Sequence, residues 1–191
     1  TKFETMFADY CGTKYAVSTS NGTSALHLAL VSLGIKKGDE VIIPDFSFVA
    51  TANSVTYTGA RVVFVDIEEN SLCIDSKAIE AAITKKTKAL IPVHLYGHPA
   101  NMTEIKKIAK EYDLLVIEDA AEAHGAEING QKVGCFGDCG IFSFYGNKII
   151  TSGEGGMITT NKSKLFEKFK YLRDHAMNSK KRYWHTEIGF N

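Results

Sequence analysis

Three short stretches of this chain set groups capable of chemistry at the ends of apolar runs. In Leu114-Leu115-Val116-Ile117-Glu118-Asp119 the run closes on two adjacent carboxylates. Strand alternation sends neighbouring side chains to opposite faces, so only one of Glu118 and Asp119 can enter a given site. The following Ala120-Ala121-Glu122-Ala123-His124-Gly125 is rich in small residues, which lets a flat ligand approach the backbone. In Gly140-Ile141-Phe142-Ser143-Phe144-Tyr145-Gly146-Asn147-Lys148 a β-favouring run leads to a lysine, and Gly153-Glu154-Gly155-Gly156 comes soon after. A lysine taken out of water in such a loop can act as an amine nucleophile; left in water it is an ordinary loop cation. Ser20-Asn21-Gly22-Thr23-Ser24 stands between a β-favouring run and a helical one. A turn of that kind aims helix-start amides and hydroxyls at an anion, or serves as an N-cap and nothing more. It matches neither a Walker loop nor the dinucleotide-binding glycine pattern.

The elements that must carry these groups alternate along the chain. Helical spacing covers residues 3–10, 25–33, 47–57, 76–83, 103–112 and 162–177. Strand-like runs cover residues 15–19, 40–43, 61–67, 88–95, 114–119, 140–145 and 156–160. Alternating strands and helices imply βαβ units: an α/β fold with a mostly parallel sheet sandwiched by helices. The strand runs are almost continuously apolar, as strands buried on both faces should be. Ligands of such sheets sit at the carboxyl ends of the strands, where the three stretches above end.

Composition narrows the field. Hydrophobic residues make up 45% and charged residues 23% of the 191 residues, an ordinary globular balance. The 22 basic residues match the 22 acidic ones, so no bulk basic face argues for nucleic acid. The apolar run at 25–35 is too short for a membrane span of ~20 residues. Cys11, Cys73, Cys135 and Cys139 are too few and scattered for a disulfide scaffold, and a reducing, cytoplasmic setting is expected. Cys135 and Cys139 lack the further ligands that a structural zinc site needs, so no metal is expected. His94, His98, His124 and His185 read either as sugar or diphosphate contacts or as structural residues.

A phosphate cradle, a strand-end carboxylate and a strand-end lysine are the three parts that pyridoxal 5'-phosphate needs. With the Ser20–Ser24 turn, Glu118-Asp119-Ala120-Ala121, Phe142-Ser143-Phe144, Lys148 and Gly153-Glu154-Gly155-Gly156-Met157 in that order, the chain resembles the large domain of the DegT/DnrJ/EryC1/StrS sugar aminotransferases. The likeness runs over essentially the whole chain. It implies the aspartate-aminotransferase-like fold of pyridoxal-phosphate enzymes (fold type I), with residues 1–191 as the cofactor-binding large domain and a small C-terminal domain beyond it.

The same resemblance assigns roles. Lys148 matches the Schiff-base lysine and proton shuttle, and Asp119 the acid that bonds the pyridine nitrogen. Thr23, Ser24 and Ser143 match phosphate contacts, and Phe48 an aromatic on the ring face. Glu122 falls where the family has a residue near the phenolic oxygen, where an ionised carboxylate must be protonated, bridged by water or turned toward substrate. Asn191 matches an asparagine that reaches the neighbouring subunit's cofactor, which with Tyr183-Trp184-His185 implies a homodimer with shared active sites. The implied reaction moves an amino group from glutamate onto a nucleotide-linked keto-sugar in amino-sugar or polysaccharide biosynthesis. Residues 41–55 and 118–123 resemble the branch that makes perosamine-type 4-amino sugars, so a GDP-linked 4-keto-6-deoxyhexose is the favoured acceptor. A 3-keto-sugar aminotransferase and a non-catalytic nucleotide-sugar-binding domain of the same fold are the alternatives.

Overall fold

The computed structural model describes residues Thr1–Asn191. Seven strands form one sheet: β1 (Tyr15–Thr19), β2 (Glu40–Pro44), β3 (Arg61–Val65), β4 (Thr87–Leu90), β5 (Leu115–Asp119), β8 (Cys139–Ser143) and β9 (Gly156–Thr160). Their order across the sheet is β1-β9-β8-β5-β4-β2-β3. A separate hairpin pairs β6 (Glu127–Ile128) with β7 (Gln131–Lys132). The helices are α1 (Lys2–Cys11), α2 (Gly22–Ser32), α3 (Val49–Tyr57), α4 (Ser76–Ala82), α5 (Met102–Glu111) and α6 (Ser163–Arg173).

Strand pleat divides the core into layers. Val41 and Ile43 of β2, Ile117 of β5 and Ile141 of β8 pack with α2 and α6. Their neighbours Ile42 and Val116 turn the other way, against α4 and α5. Phe142 of β8 and Met157 of β9 join α1 through Phe7, Ala8 and Cys11. Helix α2 is apolar nearly all round and buries Ala25, Leu26, Leu28, Ala29 and Leu30, as a helix enclosed on most sides must.

The mostly parallel α/β sandwich expected from the sequence is present, with one strand reversed. Strand β9 runs antiparallel to both β8 and β1, whereas the other neighbouring pairs are parallel. A parallel return needs a crossover, usually a helix. The 144–155 connection has none, so the chain returns antiparallel and leaves a long loop at the carboxyl end of β8.

Two boundaries move by more than three residues, and a short hairpin is added. The run at 88–95 is a strand only to Leu90; Val93 keeps a single parallel bridge to Asp119, and Leu95–Gly97 is a 3-10 turn. Within it Tyr96 and Gly97 have φ of 50° and 86°, which no strand accommodates. Helix α6 stops at Arg173 because His175 and Ala176 adopt φ of 54° and 52°. The hairpin β6–β7 turns at Asn129-Gly130, both at positive φ, a sequence suited to two-residue turns.

Candidate active site

The pleat of β5 separates the two acids as alternation requires. Asp119 lies on the α2–α3 face, 5% exposed; Glu118 lies on the opposite face and is fully buried. The Asp119 backbone is clamped by the strand-like Pro92–His94 segment: its N–H donates to Pro92 O at 2.9 Å and its C=O accepts from His94 N at 3.0 Å. Its side chain accepts the Thr51 hydroxyl at 2.8 Å and the Ala121 amide at 3.2 Å. Thr51 in turn lies 3.0 Å from the Ser47 hydroxyl. Burial pushes the Asp119 carboxyl above its ordinary pKa; the hydrogen bonds and the nearby His94 and Lys148 oppose that shift.

Lys148 sits in the loop after β8. Phe144 fastens that loop by three bonds to its backbone: its N–H donates to Gly155 O, and its C=O accepts the Ser152 amide and the Thr151 hydroxyl; separately, Lys148 N closes a turn on Tyr145 O. The Lys148 side chain is 14% exposed and its Nζ donates to Glu122 Oε1 at 3.1 Å. Glu122 Oε2 accepts the Tyr96 amide at 3.0 Å. Glu122 is therefore turned to the lysine and to a backbone amide.

The third stretch is the start of α2. Asn21 caps the helix by accepting the Ser24 amide at 2.8 Å, which leaves the Gly22 and Thr23 amides without an intrahelical partner. Two glycines make the close approach possible. A Cβ on Gly22 would stand 3.0 Å from Ser143 Cβ, and one on Gly156 would overlap Asn21 O and Thr19 Oγ1. The end of β8, the start of β9 and the start of α2 are thus pressed together backbone to backbone.

These parts open on one cavity of about 550 Å³. Of the sequence-predicted residues, Thr23, Phe48, Asp119, Glu122, Ser143 and Lys148 line it. Ser24 does not line it and shares a 3.3 Å contact with the Ser20 hydroxyl. Asn191 is exposed at the end of the chain, outside the lining. Phe48 caps the start of α3 with 69% of its surface open. Thr51 and Ser47 were missed by the sequence reading; their i, i+4 spacing at the start of α3 is visible, but their partner is 68 residues away. Asn147, Tyr145 and Glu154 also line the cavity, and Lys148 is its only lysine or arginine.

The histidines divide. His94 and His124 are buried, and His98 and His185 are exposed. His124 sits among the rings of Phe7, Phe142 and Phe144, with neither ring nitrogen hydrogen-bonded. Burial and the charge on Lys148 pull its pKa down to about 4. The tail is split too: Phe190 donates its amide to Leu172 O and packs on His27, whereas Tyr183, Trp184 and Ile188 stay exposed.

An α/β sheet that brings a lysine, a buried acid and an open helix start to one cavity defines a class that sequence comparison makes specific: the chain belongs to the DegT/DnrJ/EryC1/StrS aminotransferase family, whose model matches residues 1–191. It is 55% identical over 190 residues to GDP-perosamine synthase of Caulobacter vibrioides, covering 100% of this chain and 51% of that one. Among solved structures, the aminotransferase from Psychrobacter cryohalolentis superposes with a TM-score of 0.96 at 41% identity, over 100% of this chain and 51% of that chain. The ntda structure from Bacillus subtilis, solved with bound cofactor PMP, gives a TM-score of 0.93 at 37% identity, over 100% and 43%. The chain spans about half the length of the curated relatives it matches.

Proposed function

We propose that residues 1–191 are the cofactor-binding large domain of a cytoplasmic pyridoxal-phosphate aminotransferase that acts on a nucleotide-linked 4-keto-6-deoxyhexose. The observation that carries this reading is the convergence of Lys148, Asp119 and the α2 start on one cavity. The fit can be judged from the residues present. A buried carboxylate stands ready for a protonated ring nitrogen, free amides at Gly22 and Thr23 suit a phosphate, and Lys148 is the one amine in the cavity. The bound cofactor would supply the electron sink that lets an amino group move between carbon skeletons.

Each residue then has a task. Gly22 and Thr23 amides, with the Thr23 and Ser143 hydroxyls, hold the phosphate at the positive end of α2; Ser24, paired with Ser20 outside the cavity, takes no part. Asp119, kept in place by Thr51 and Ala121, holds a proton on the ring nitrogen. Phe48 covers a ring face. Lys148 anchors the cofactor and moves a proton at the substrate carbon, and Glu122 holds the Lys148 amine in the cavity at 3.1 Å. Asn191 and the exposed Tyr183 and Trp184 serve a second subunit's site, in a homodimer with shared active sites.

The overall exchange balances as keto-sugar plus glutamate giving amino-sugar plus 2-oxoglutarate. Identity to GDP-perosamine synthase supports a GDP-linked acceptor. The test is to offer the full-length protein GDP-4-keto-6-deoxymannose and a dTDP-linked 4-keto-6-deoxyglucose, each with glutamate. Amination of the GDP sugar is expected. Amination of 3-keto sugars alone would replace the acceptor and keep the aminotransferase; no amination of any keto-sugar, with no cofactor uptake, would remove both.

A further inference from the structure

Behind the cavity, on the far face of β5, lies a buried carboxylate–imidazole pair that the proposed chemistry does not use. Glu118 and His94 both have fully buried side chains, and His94 Nε2 stands 3.1 Å from Glu118 Oε2. Glu118 is already satisfied by backbone. Its Oε2 accepts the Gly134 amide at 2.8 Å, and its Oε1 accepts the Phe136 and Gly137 amides, each at 2.7 Å. Three amides hold that carboxylate without help, so the imidazole is not there to satisfy it.

The other contacts of His94 all lead to the site. Its Nδ1 accepts the Ala100 amide at 3.0 Å, which leaves the ring proton on Nε2, the nitrogen facing Glu118. That bond closes the 94–100 segment into a loop. The loop contains Tyr96, whose φ of 50° is unfavourable for an aromatic residue and persists only where the surroundings enforce it. The Tyr96 amide is the group that holds Glu122 Oε2, and Glu122 Oε1 holds Lys148. The His94 amide meanwhile holds the Asp119 carbonyl.

We propose that His94 is a positioning residue: clamped by Glu118, its ring closes the 94–100 loop and thereby sets where Glu122 meets Lys148. The importance of that meeting rests on the function proposed above; the loop closure does not. The two ring nitrogens can be removed separately. His94→Asn keeps an acceptor near the Nδ1 position and loses the donor to Glu118. His94→Gln keeps a donor near the Nε2 position and leaves the Ala100 amide without a partner.

Amide hydrogen exchange on the full-length protein reads the closure directly. The expected result is exchange at Tyr96 and Ala100 about tenfold faster in His94→Gln than in His94→Asn, the scale of one lost hydrogen bond. Borohydride trapping of pyridoxal phosphate on Lys148 should be slower in His94→Gln by about the same factor. Equal exchange at Tyr96 in both variants and the wild type would overturn the proposal, as would global loss of protection in both with no difference confined to 94–100. If the wild type takes up no pyridoxal phosphate, the cofactor reading fails, while the exchange pattern still decides the role of His94.

Discussion

Asp119 Oδ2 accepts the Thr51 hydroxyl at 2.8 Å across a gap of 68 residues in sequence, and this contact joins the end of β5 to the first turns of α3. It gives a buried acid a neutral donor where a cation would have quenched it. The carboxylate therefore keeps its charge available for a ligand, at a cost to the empty protein.

That cost is measurable. Burial raises the Asp119 pKa, so the folded protein binds this proton more tightly than the unfolded chain, whose carboxyl titrates near 3.8. The group favours folding below that value, and its contribution is lost as pH rises through the raised one. At pH 7 the Asp119→Asn protein without cofactor should melt at or above the wild-type temperature, by an amount that shrinks on acidification. Its transamination rate should fall about a hundredfold or more, the scale of a lost electrostatic partner. Thermal scans at several pH values and single-turnover kinetics check both halves.

His124 makes the opposite prediction on the acid side. Burial and the neighbouring Lys148 lower its pKa from 6.5 to about 4, so the unfolded chain takes up a proton that the folded protein refuses. Stability should fall as pH drops from 6.5 toward 4. Replacing His124 with Leu removes two buried, unpartnered nitrogens among Phe7, Phe142 and Phe144. Such orphans cost about 1–3 kcal/mol each when buried. His124→Leu should therefore be at least as stable as wild type at pH 7 and show a flatter loss between pH 6.5 and 4 in urea titrations.

How far the sequence led can be seen at β5 and β8. Alternation placed Asp119 and Glu118 on opposite faces, and the apolar runs and their polar ends located the cavity rim. The direction of β9 was not legible because it depends on the missing helix in 144–155, which strand composition does not report. The turn at Leu95–Gly97 was hidden by an apolar run that continues to Leu95, although Pro92 and Gly97 weaken it as a strand. Thr51 was not legible because its partner is fixed by tertiary structure, and the tilt of Glu122 toward Lys148 depends on the Tyr96 amide, a backbone group that any residue except proline supplies.

Gly156 tests the backbone contact between β9 and α2. A methyl group there would overlap Asn21 O and Thr19 Oγ1, both held by local hydrogen bonds. Gly156→Ala should destabilise the protein by about 1–3 kcal/mol, the range of overpacking, and weaken cofactor binding by displacing the α2 start. Urea denaturation beside a pyridoxal phosphate titration checks it.

The account turns on Lys148. Full-length protein incubated with pyridoxal phosphate, reduced with borohydride and digested should yield one pyridoxyl peptide, modified at Lys148, with Lys148→Ala giving none. An adduct on another lysine, or equal labelling of Lys148→Ala, would contradict the site described here.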